Sequence, residues 1–423
     1  MPIPHEYCLE NRMLKFRSAP AAWLIAAGAA CLTPAVAQPA NEQARTTLRE
    51  AFDAAWERQP EARAAAARRQ AAEAGRTATR KLTVEPAALE LQAKAGRSGF
   101  GGREYEAAVA FPLWLPGERS RSASLADAQL EAVHLRARVA QLKLAGTVRD
   151  SWWALKRAEV ELTTARDRLT SAQELAADVS RRVRAGDLAL ADQNQADSAV
   201  AQAEAVVAEA ESAGTAAEGT LRAITLAAVA PGTPAVAEPT PVSGPSYENP
   251  LVAEAQSKAL VARRTVDLTS TQRRANPELT VGVARETGGS GEPSAQSLIV
   301  GIRIPFGGGS RQDARVATAQ AEALEAEATA DVEQSRVVSE VASARARLQA
   351  TQVQVQAAER RARLSAETRG FYDKSFRLGE SDLPTRLRVE LEAAEAQRAL
   401  ARSRVEAAAA VSLVRQALGL LFE

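Results

Sequence analysis

The residues AFPLWLPGERS (110–120) and IRIPFGGGSR (302–311) lie far apart in the chain but have the same order of features. Each begins with alternating apolar residues, continues through a proline to glycine and arginine, and precedes a long helical pattern. Because alternation predicts a strand and a spacing of three and four predicts a helix, each stretch is a predicted strand-to-helix junction. A chain that builds this junction twice indicates two copies of one architecture.

The rest of the chain supports this duplication. A shift of 193 residues aligns Pro112 with Pro305, Gly186 with Gly379, and Arg222 with Arg415. A proline-rich stretch separates the two sets, as expected of a linker. We therefore predict a signal peptide at 1–37, a first repeat at 38–229, a linker at 230–246 and a second repeat at 247–423.

Within each half the pattern predicts a helix, two strands joined by a glycine-rich turn, a long helix, a break and a further helix. The predicted first helices are 46–80 and 247–274. The predicted strands are 86–95, 104–113, 278–286 and 297–306. The predicted long helices, 119–184 and 310–377, would each extend roughly 100 Å. The expected fold class is mainly α, with a small antiparallel β part of four strands per chain and two internal structural repeats.

Apolar residues spaced three and four apart predict coiled-coil seams on both long helices. The first predicted seam contains Leu125, Ala128, Ala132, Leu135, Val139 and Leu142. The second contains Val338, Val341, Ala344, Leu348 and Val355. Alanine at so many seam positions would allow the helix backbones to approach closely.

The N-terminal residues are typical of a secretory signal. Lys15 and Arg17 precede a short apolar run at 19–32, and Ala35-Val36-Ala37 forms a small-residue cleavage site. We hypothesise that translation starts at Met13 rather than Met1. Lipidation of Cys31 is an alternative to cleavage after Ala37.

The composition argues against several classes of function. Residues 1–37 hold both cysteines and both methionines, so His134 is the only histidine, cysteine or methionine expected after cleavage. The remaining chain carries equal numbers of basic and acidic residues, which gives no electrostatic footprint for nucleic acid. We expect no enzymatic activity, no cofactor and no metal site, with His134, Glu390 and Glu392 on solvated helix faces.

Four strands of nine or ten residues are long enough to cross a bilayer when tilted. A sheet with unpaired edges cannot stand there, because each unmade backbone hydrogen bond in hydrocarbon costs several kcal/mol. Two chains would close eight strands into a filled barrel, and three would close twelve around a lumen. The alternatives are a soluble hairpin packed on the helices and, from another class, a secreted coiled-coil scaffold.

With these elements in place, the chain resembles the TolC-like outer-membrane factors of tripartite efflux systems. The resemblance depends on the signal, the two halves, Asn276-Pro277, the two junctions, and the glycine breaks RAGD (184–187) and RLGE (377–380). The junctions are most similar to those of members paired with heavy-metal pumps of the resistance-nodulation-division class.

The resemblance implies a homotrimer in the outer membrane of a Gram-negative bacterium, with a transmembrane β-barrel continued by an α-barrel of long helices into the periplasm. The implied partners are a periplasmic adaptor of the membrane fusion class, an inner-membrane resistance-nodulation-division pump and outer-membrane lipid, with no nucleic acid. The implied function is a passive exit duct. The similarity of the junctions to those of members paired with heavy-metal pumps implies that its cargo is heavy-metal cations. Drugs or a protein secreted by a type I system are alternative cargoes.

Three sets of functional residues follow from the resemblance. The expected adaptor-contacting tip contains Gly186, Asp187, Gly379 and Glu380. The expected pore constriction contains Asp192, Asp382, Thr385, Arg386 and Arg388. The expected strand-to-helix junctions contain Pro112, Gly117, Pro305 and Gly307.

The chain departs from some of these relatives at the pore. They carry aspartates six and nine residues after the second tip glycine, where this chain has Thr385 and Arg388. An acidic ring is therefore in doubt. We hypothesise instead that Asp382, Arg386 and Arg388 form an ionic latch between neighbouring tips.

Overall fold

The computed structural model describes residues 47–95, 102–225, 236–241, 249–287, 293–307 and 309–422, all of which belong to one unit. The predicted signal peptide, with Met13 and Cys31, lies outside the described residues. So do the predicted glycine-rich turns at 96–101 and 288–292, Gly308, and all of the linker except 236–241.

The described residues form seven helices and four strands. The helices are α1 (Leu48–Trp56), α2 (Pro60–Ala78), α3 (Glu118–Ala185), α4 (Leu190–Thr225), α5 (Pro250–Thr271), α6 (Ser310–Arg377) and α7 (Leu383–Ala417). The strands are β1 (Ala88–Ala95), β2 (Arg103–Pro112), β3 (Glu278–Thr287) and β4 (Ala295–Arg303). None of the described helices is both long and apolar enough to span a bilayer.

The chain is mainly helical with one antiparallel sheet of four strands, which confirms that part of the predicted fold class. The strand order is β1-β2-β3-β4, so the two hairpins join through the pairing of β2 with β3. The helix predicted over 46–80 is wrong in one respect, because α1 ends at Trp56 and α2 begins at Pro60. Proline favours the first turn of a helix and cannot donate a backbone hydrogen bond within one.

The long helices α3 and α6 have the same length, 68 residues, which corresponds to roughly 100 Å each. Helix α3 packs along α4, and α6 packs along α7. In α3 the predicted seam residues Ala128, Val139 and Leu142 are buried.

The predicted seam on α6 needs one correction. Val338 is 64% exposed, whereas its neighbour Val337 is buried. Five of the eight buried residues of α6 repeat every seven positions, namely Ala323, Ala330, Val337, Ala344 and Thr351. This spacing is a heptad seam, and its small side chains let α6 approach the helices beside it closely.

The linker contributes a buried carboxylate to the middle of the molecule. Glu238 accepts hydrogen bonds from the Arg149 guanidinium at 2.8 and 2.9 Å, and its carboxylate lies 3.2 Å from Arg415 Nε. Arg149 also donates to the backbone carbonyl of Leu420, and Arg415 to that of Leu421. The side chains of Arg149, Glu238 and Arg415 are all less than 10% exposed. The cluster therefore ties the linker and the C-terminal end of the chain to α3.

Candidate functional site

The first candidate site is the sheet, whose two faces differ in chemistry. The register places large apolar side chains on one face, which we call the apolar face. Its members are Leu89, Leu91, Val109, Phe111, Leu279, Val281, Val283, Leu298, Val300 and Ile302. Leu91 and Leu298 are 71% and 72% exposed, so the described chain leaves this face open.

The opposite face, which we call the polar face, carries every carboxylate of the four strands. Its charged residues are Glu90, Lys94, Glu104, Glu106, Glu278, Glu286 and Arg303. Its centre is lined by small residues, among which Ala108, Ala110 and Ala284 are buried. A Cβ added to Gly282 would lie 2.5 Å from the Cβ of Ala108. Burial of small residues on this face, opposite exposed large ones, indicates a sheet that curves toward its polar face.

The sheet has two edges. In the described chain β1 pairs only with β2, and β4 pairs only with β3. Each edge therefore presents a row of backbone donors and acceptors that this chain does not satisfy.

The second candidate site is the pair of junctions. Gly117 has φ +78° and Gly307 has φ +92°, conformations that favour glycine. Pro112 is the last residue of β2, and Pro305 lies two residues beyond the end of β4.

The first junction is held by a buried carboxylate that the sequence did not reveal. Glu118 is 1% exposed and accepts hydrogen bonds from the backbone N–H of Leu115 at 2.9 Å and the side-chain amide of Gln272 at 2.7 Å. The side-chain amide of Asn276 donates to Glu118 at 2.6 Å and to the carbonyl of Leu113 at 3.0 Å. Asn276-Pro277 of the second half therefore fastens the strand-to-helix turn of the first half.

The third candidate site is the two helix tips. Gly186 and Gly379 have φ +88° and +80° and follow α3 and α6. The next residue donates back into the last helical turn, Asp187 to Arg182 at 2.9 Å and Glu380 to Ser375 at 2.9 Å. This glycine-dependent cap ends both long helices in the same way.

The two aspartates assigned to the pore act locally as helix caps. Asp192 accepts from the backbone N–H of Ala189 at 3.0 Å, and Asp382 accepts from that of Thr385 at 3.2 Å. Hydrogen bonds from Thr385, first from its side chain and then from its backbone, hold the pKa of the Asp382 carboxyl below its usual value. The carboxylate is therefore ionised and the cap intact at neutral pH, and the stabilisation is lost only as the pH falls through that lowered pKa.

The structure brings Arg386 to acidic residues of its own chain. Arg386 lies 2.6 Å from Asp373 on α6 and 3.0 Å from Glu390 on α7. Arg377 also pairs with Asp373, and Arg369 with Glu390. The expectation that Glu390 is solvated is wrong, because its side chain is 18% exposed and bridges α6 and α7. Glu392 is 53% exposed and pairs with Arg388 on the same helix.

The two tips are joined to each other by a contact that the sequence did not reveal. The guanidinium of Arg182 lies 4.8 Å from the ring centroid of Phe376 and donates to the Phe376 carbonyl at 3.1 Å. Phe376 and Leu383 pack among Leu175, Val179 and Ala196 in one buried cluster. The end of the α6–α7 coil is thereby held against the α3–α4 coil.

No group of three or more potential metal-ligating residues occurs in the described part of the chain. His134 is exposed on α3 and lines a cavity of about 300 Å³ together with Glu61, Arg68, Arg69 and Arg136. Three guanidinium groups against one carboxylate leave this cavity positively charged, which disfavours a bound cation.

Comparison with known proteins gives a fold. No protein-family model matches the chain, and no curated protein sequence matches it. Among solved structures, the outer-membrane channel OprN is similar with a TM-score of 0.74, 20% identity and coverage of 88% of this chain and 89% of that one. CusC has a TM-score of 0.72, 17% identity and coverage of 88% and 92%. The outer-membrane protein VceC of Vibrio cholerae has a TM-score of 0.70, 18% identity and coverage of 89% and 97%. The chain therefore has the fold of these outer-membrane proteins.

Replacing Glu118 tests the junction. We expect Glu118→Ala to destabilise the protein by about 3 kcal/mol, because it leaves two half-buried side-chain amides and the N–H of buried Leu115 without the carboxylate they bond to. Thermal unfolding of the detergent-solubilised protein measures this as a melting temperature lowered by several degrees. Glu322→Ala, at an exposed position on α6, is the matched control and should melt like the wild type. Equal melting temperatures for both variants would contradict this role.

Replacing Arg182 tests the contact between the tips. Loss of the cation–π contact and one hydrogen bond costs about 1–2 kcal/mol, so we expect Arg182→Gln to speed amide exchange in 184–192 and 377–385 about tenfold. Arg181→Gln is the matched control, because Arg181 is 63% exposed and its one bonding partner in the described part of the chain is Asp178 of its own helix. Exchange rates that are the same in the two variants would refute the contact's role.

Proposed function

We propose that the chain is the outer-membrane channel of a tripartite efflux pump, a passive exit duct closed by three copies. The observation that carries the proposal is the sheet, with an apolar face, a polar face and two unpaired edges, at one end of long paired helices. Similarity in fold to OprN and to the CmeC channel of Campylobacter jejuni supports it.

Closure explains the sheet's two faces. In a bilayer the apolar face contacts lipid, the polar face lines the lumen, and pairing of β4 with β1 of the next copy satisfies both edges. The strands, at 8 to 10 residues, are close to the length that a tilted strand needs to cross the hydrocarbon layer. Four strands per chain give twelve in a trimer, whereas the eight of a dimer would be filled by side chains.

A stripe on α6 supports assembly of the helices as well. Six large apolar residues on this helix are between 56% and 70% exposed: Leu324, Val332, Val338, Val353, Leu364 and Phe371. At 3.6 residues per turn they fall within about 120° of one another, on the side opposite the buried heptad seam. In the proposed α-barrel this stripe packs against a neighbouring copy.

The helix tips are the proposed adaptor contact, through Gly186, Asp187, Gly379 and Glu380. Leu190 and Leu378 lie beside these turns and are 65% and 74% exposed, which suits packing against a periplasmic partner. The adaptor would in turn connect the channel to an inner-membrane resistance-nodulation-division pump.

The proposed pore constriction contains Asp192, Asp382, Thr385, Arg386 and Arg388. Because Arg386 already bridges Asp373 and Glu390, it would have to exchange partners to join a latch between neighbouring copies. Arg388 is 60% exposed and, among the described residues, bonds only to Glu392 of its own helix, so it is the better candidate for a partner in the next copy.

The proposed cargo is heavy-metal cations, because the junction sequences are most similar to those of channels paired with heavy-metal pumps. Drugs and secreted proteins are the alternative cargoes. A chain whose predicted mature form has no cysteine or methionine offers soft cations no thiolate or thioether. Conduction would therefore be passive, and the pump would supply energy and selectivity. A secreted coiled-coil scaffold explains the helices but leaves the exposed apolar face without a use.

Conductance tests the proposed function directly. We expect the protein purified from an outer-membrane fraction to form stable ion-conducting channels in planar bilayers, because three sheets enclose a water-filled lumen. Absence from the outer-membrane fraction, or absence of conductance, would overturn the channel.

A deletion strain tests the cargo. Its sensitivity to zinc, copper and cadmium salts is compared with its sensitivity to a panel of drugs, and sensitivity to metals alone would support the metal cargo.

A further inference from the structure

Two arginines lie at the border of the apolar face that is farthest from the helices. Arg103 and Arg285 lie near the ends of β2 and β3 that are farthest from the helices. Arg103 is opposite Thr287, and Arg285 is opposite Tyr105, so the two arginines are diagonal neighbours on one face. Both side chains are exposed.

Neither arginine is neutralised by a residue in the described part of the chain. The adjacent residues Glu104 and Glu286 point to the polar face, because successive side chains of a strand alternate. Arg103 and Arg285 form no ion pair or side-chain hydrogen bond with any residue that the structure describes. By contrast, Lys94 and Arg303 on the polar face pair with Glu104 and Glu278 at 3.4 and 3.5 Å.

The surroundings of the pair are those of a membrane interface. Tyr105, directly opposite Arg285, has the amphipathic ring that is enriched where hydrocarbon meets headgroups. The next row toward the helices is apolar, with Leu91, Ala107, Val283 and Leu298 in register. The two guanidinium groups therefore lie at headgroup depth if this face contacts hydrocarbon.

A second copy of the chain does not cover this position. Strands β2 and β3 are the central strands of the sheet, and a neighbouring copy that pairs with β1 or β4 meets only the edges. The pair stays exposed on the outside of a closed barrel, where lipid is the available partner.

We propose that Arg103 and Arg285 together bind the phosphate group of an anionic lipid in the leaflet farthest from the helices. The inference rests on the proposed function, since it needs the apolar face to contact lipid. Guanidinium is the side chain best suited to phosphate, which it meets with two parallel hydrogen bonds. Two guanidinium charges side by side on one face thus favour anionic over zwitterionic headgroups.

Competition between two lipids tests the proposal. The detergent-solubilised protein is mixed with equal mole fractions of phosphatidylglycerol and phosphatidylcholine, washed, and the retained lipids are quantified by mass spectrometry. We expect phosphatidylglycerol to be enriched, and the enrichment to fall roughly fivefold for each arginine in Arg103→Gln, Arg285→Gln and the double variant. An unchanged ratio in the double variant would overturn the proposal.

Two controls identify the cause of any change. Arg303→Gln removes an arginine from the polar face of the same sheet and should leave the ratio unchanged. Arg103→Lys with Arg285→Lys keeps both charges and should retain most of the enrichment, even if the glutamine pair folds poorly. Added inorganic phosphate should not displace the lipid, and displacement would contradict a headgroup site bordered by hydrocarbon.

The outcomes separate this inference from the channel itself. A protein that retains both lipids equally and still conducts would refute only the headgroup site. A protein that retains neither lipid and does not conduct would refute the channel, and the headgroup site with it.

Discussion

The proposed channel depends on one constraint, which is that backbone N–H and C=O groups in hydrocarbon must all be hydrogen-bonded. Strands β1 and β4 leave their outer edges unpaired among the described residues, and the sheet between them exposes an apolar face. In water that combination would promote aggregation, and in a bilayer it is tolerated only if the edges close on other copies. The curvature indicated by Ala108 and Gly282 would favour closure of the proposed barrel, because small residues line the inner side of the bend.

The helices follow from the same constraint. A closed sheet of several copies brings the following helices close together, so α3 and α6 need narrow seams and a second contact surface. The alanine-rich heptads supply the narrow seams, and the exposed stripe of α6 supplies the second contact surface. The turn from sheet to helix must also be rigid, and Glu118 makes it so by joining Leu115, Gln272 and Asn276. In this way the second repeat stabilises the junction of the first.

Much of this architecture could be predicted from the sequence, because the strands and the ends of the long helices depend on local sequence patterns. Alternation located all four strands to within two or three residues, and the glycines that end α3 and α6 have the positive φ that their position requires. The helix over 46–80 is wrong because Pro60 starts a second helix, and local patterning does not distinguish two successive helices from one. Val337, and not the predicted Val338, lies in the seam, because two adjacent valines give no local signal of which one faces the neighbouring helix.

The contacts that organise the candidate sites could not be predicted, because their partners are distant in sequence. Arg182 reaches Phe376, and Glu118 reaches Asn276, through the packing of one repeat on the other. The buried Glu238 in the linker had no local signal either, since a single glutamate among prolines looks solvated. The charge pattern of the strands was in principle accessible. Once the register is known, alternation alone places the glutamates on one face and Arg103 and Arg285 on the other.

The central claim is that closure requires three copies, and the native mass of the detergent-extracted protein tests it most directly. Native mass spectrometry after removal of detergent gives the number of chains per particle. The account predicts a single species of three chains, which twelve strands around a lumen require. A monomer or a species of two chains would contradict it, because neither can satisfy both edges of the sheet and leave an open duct.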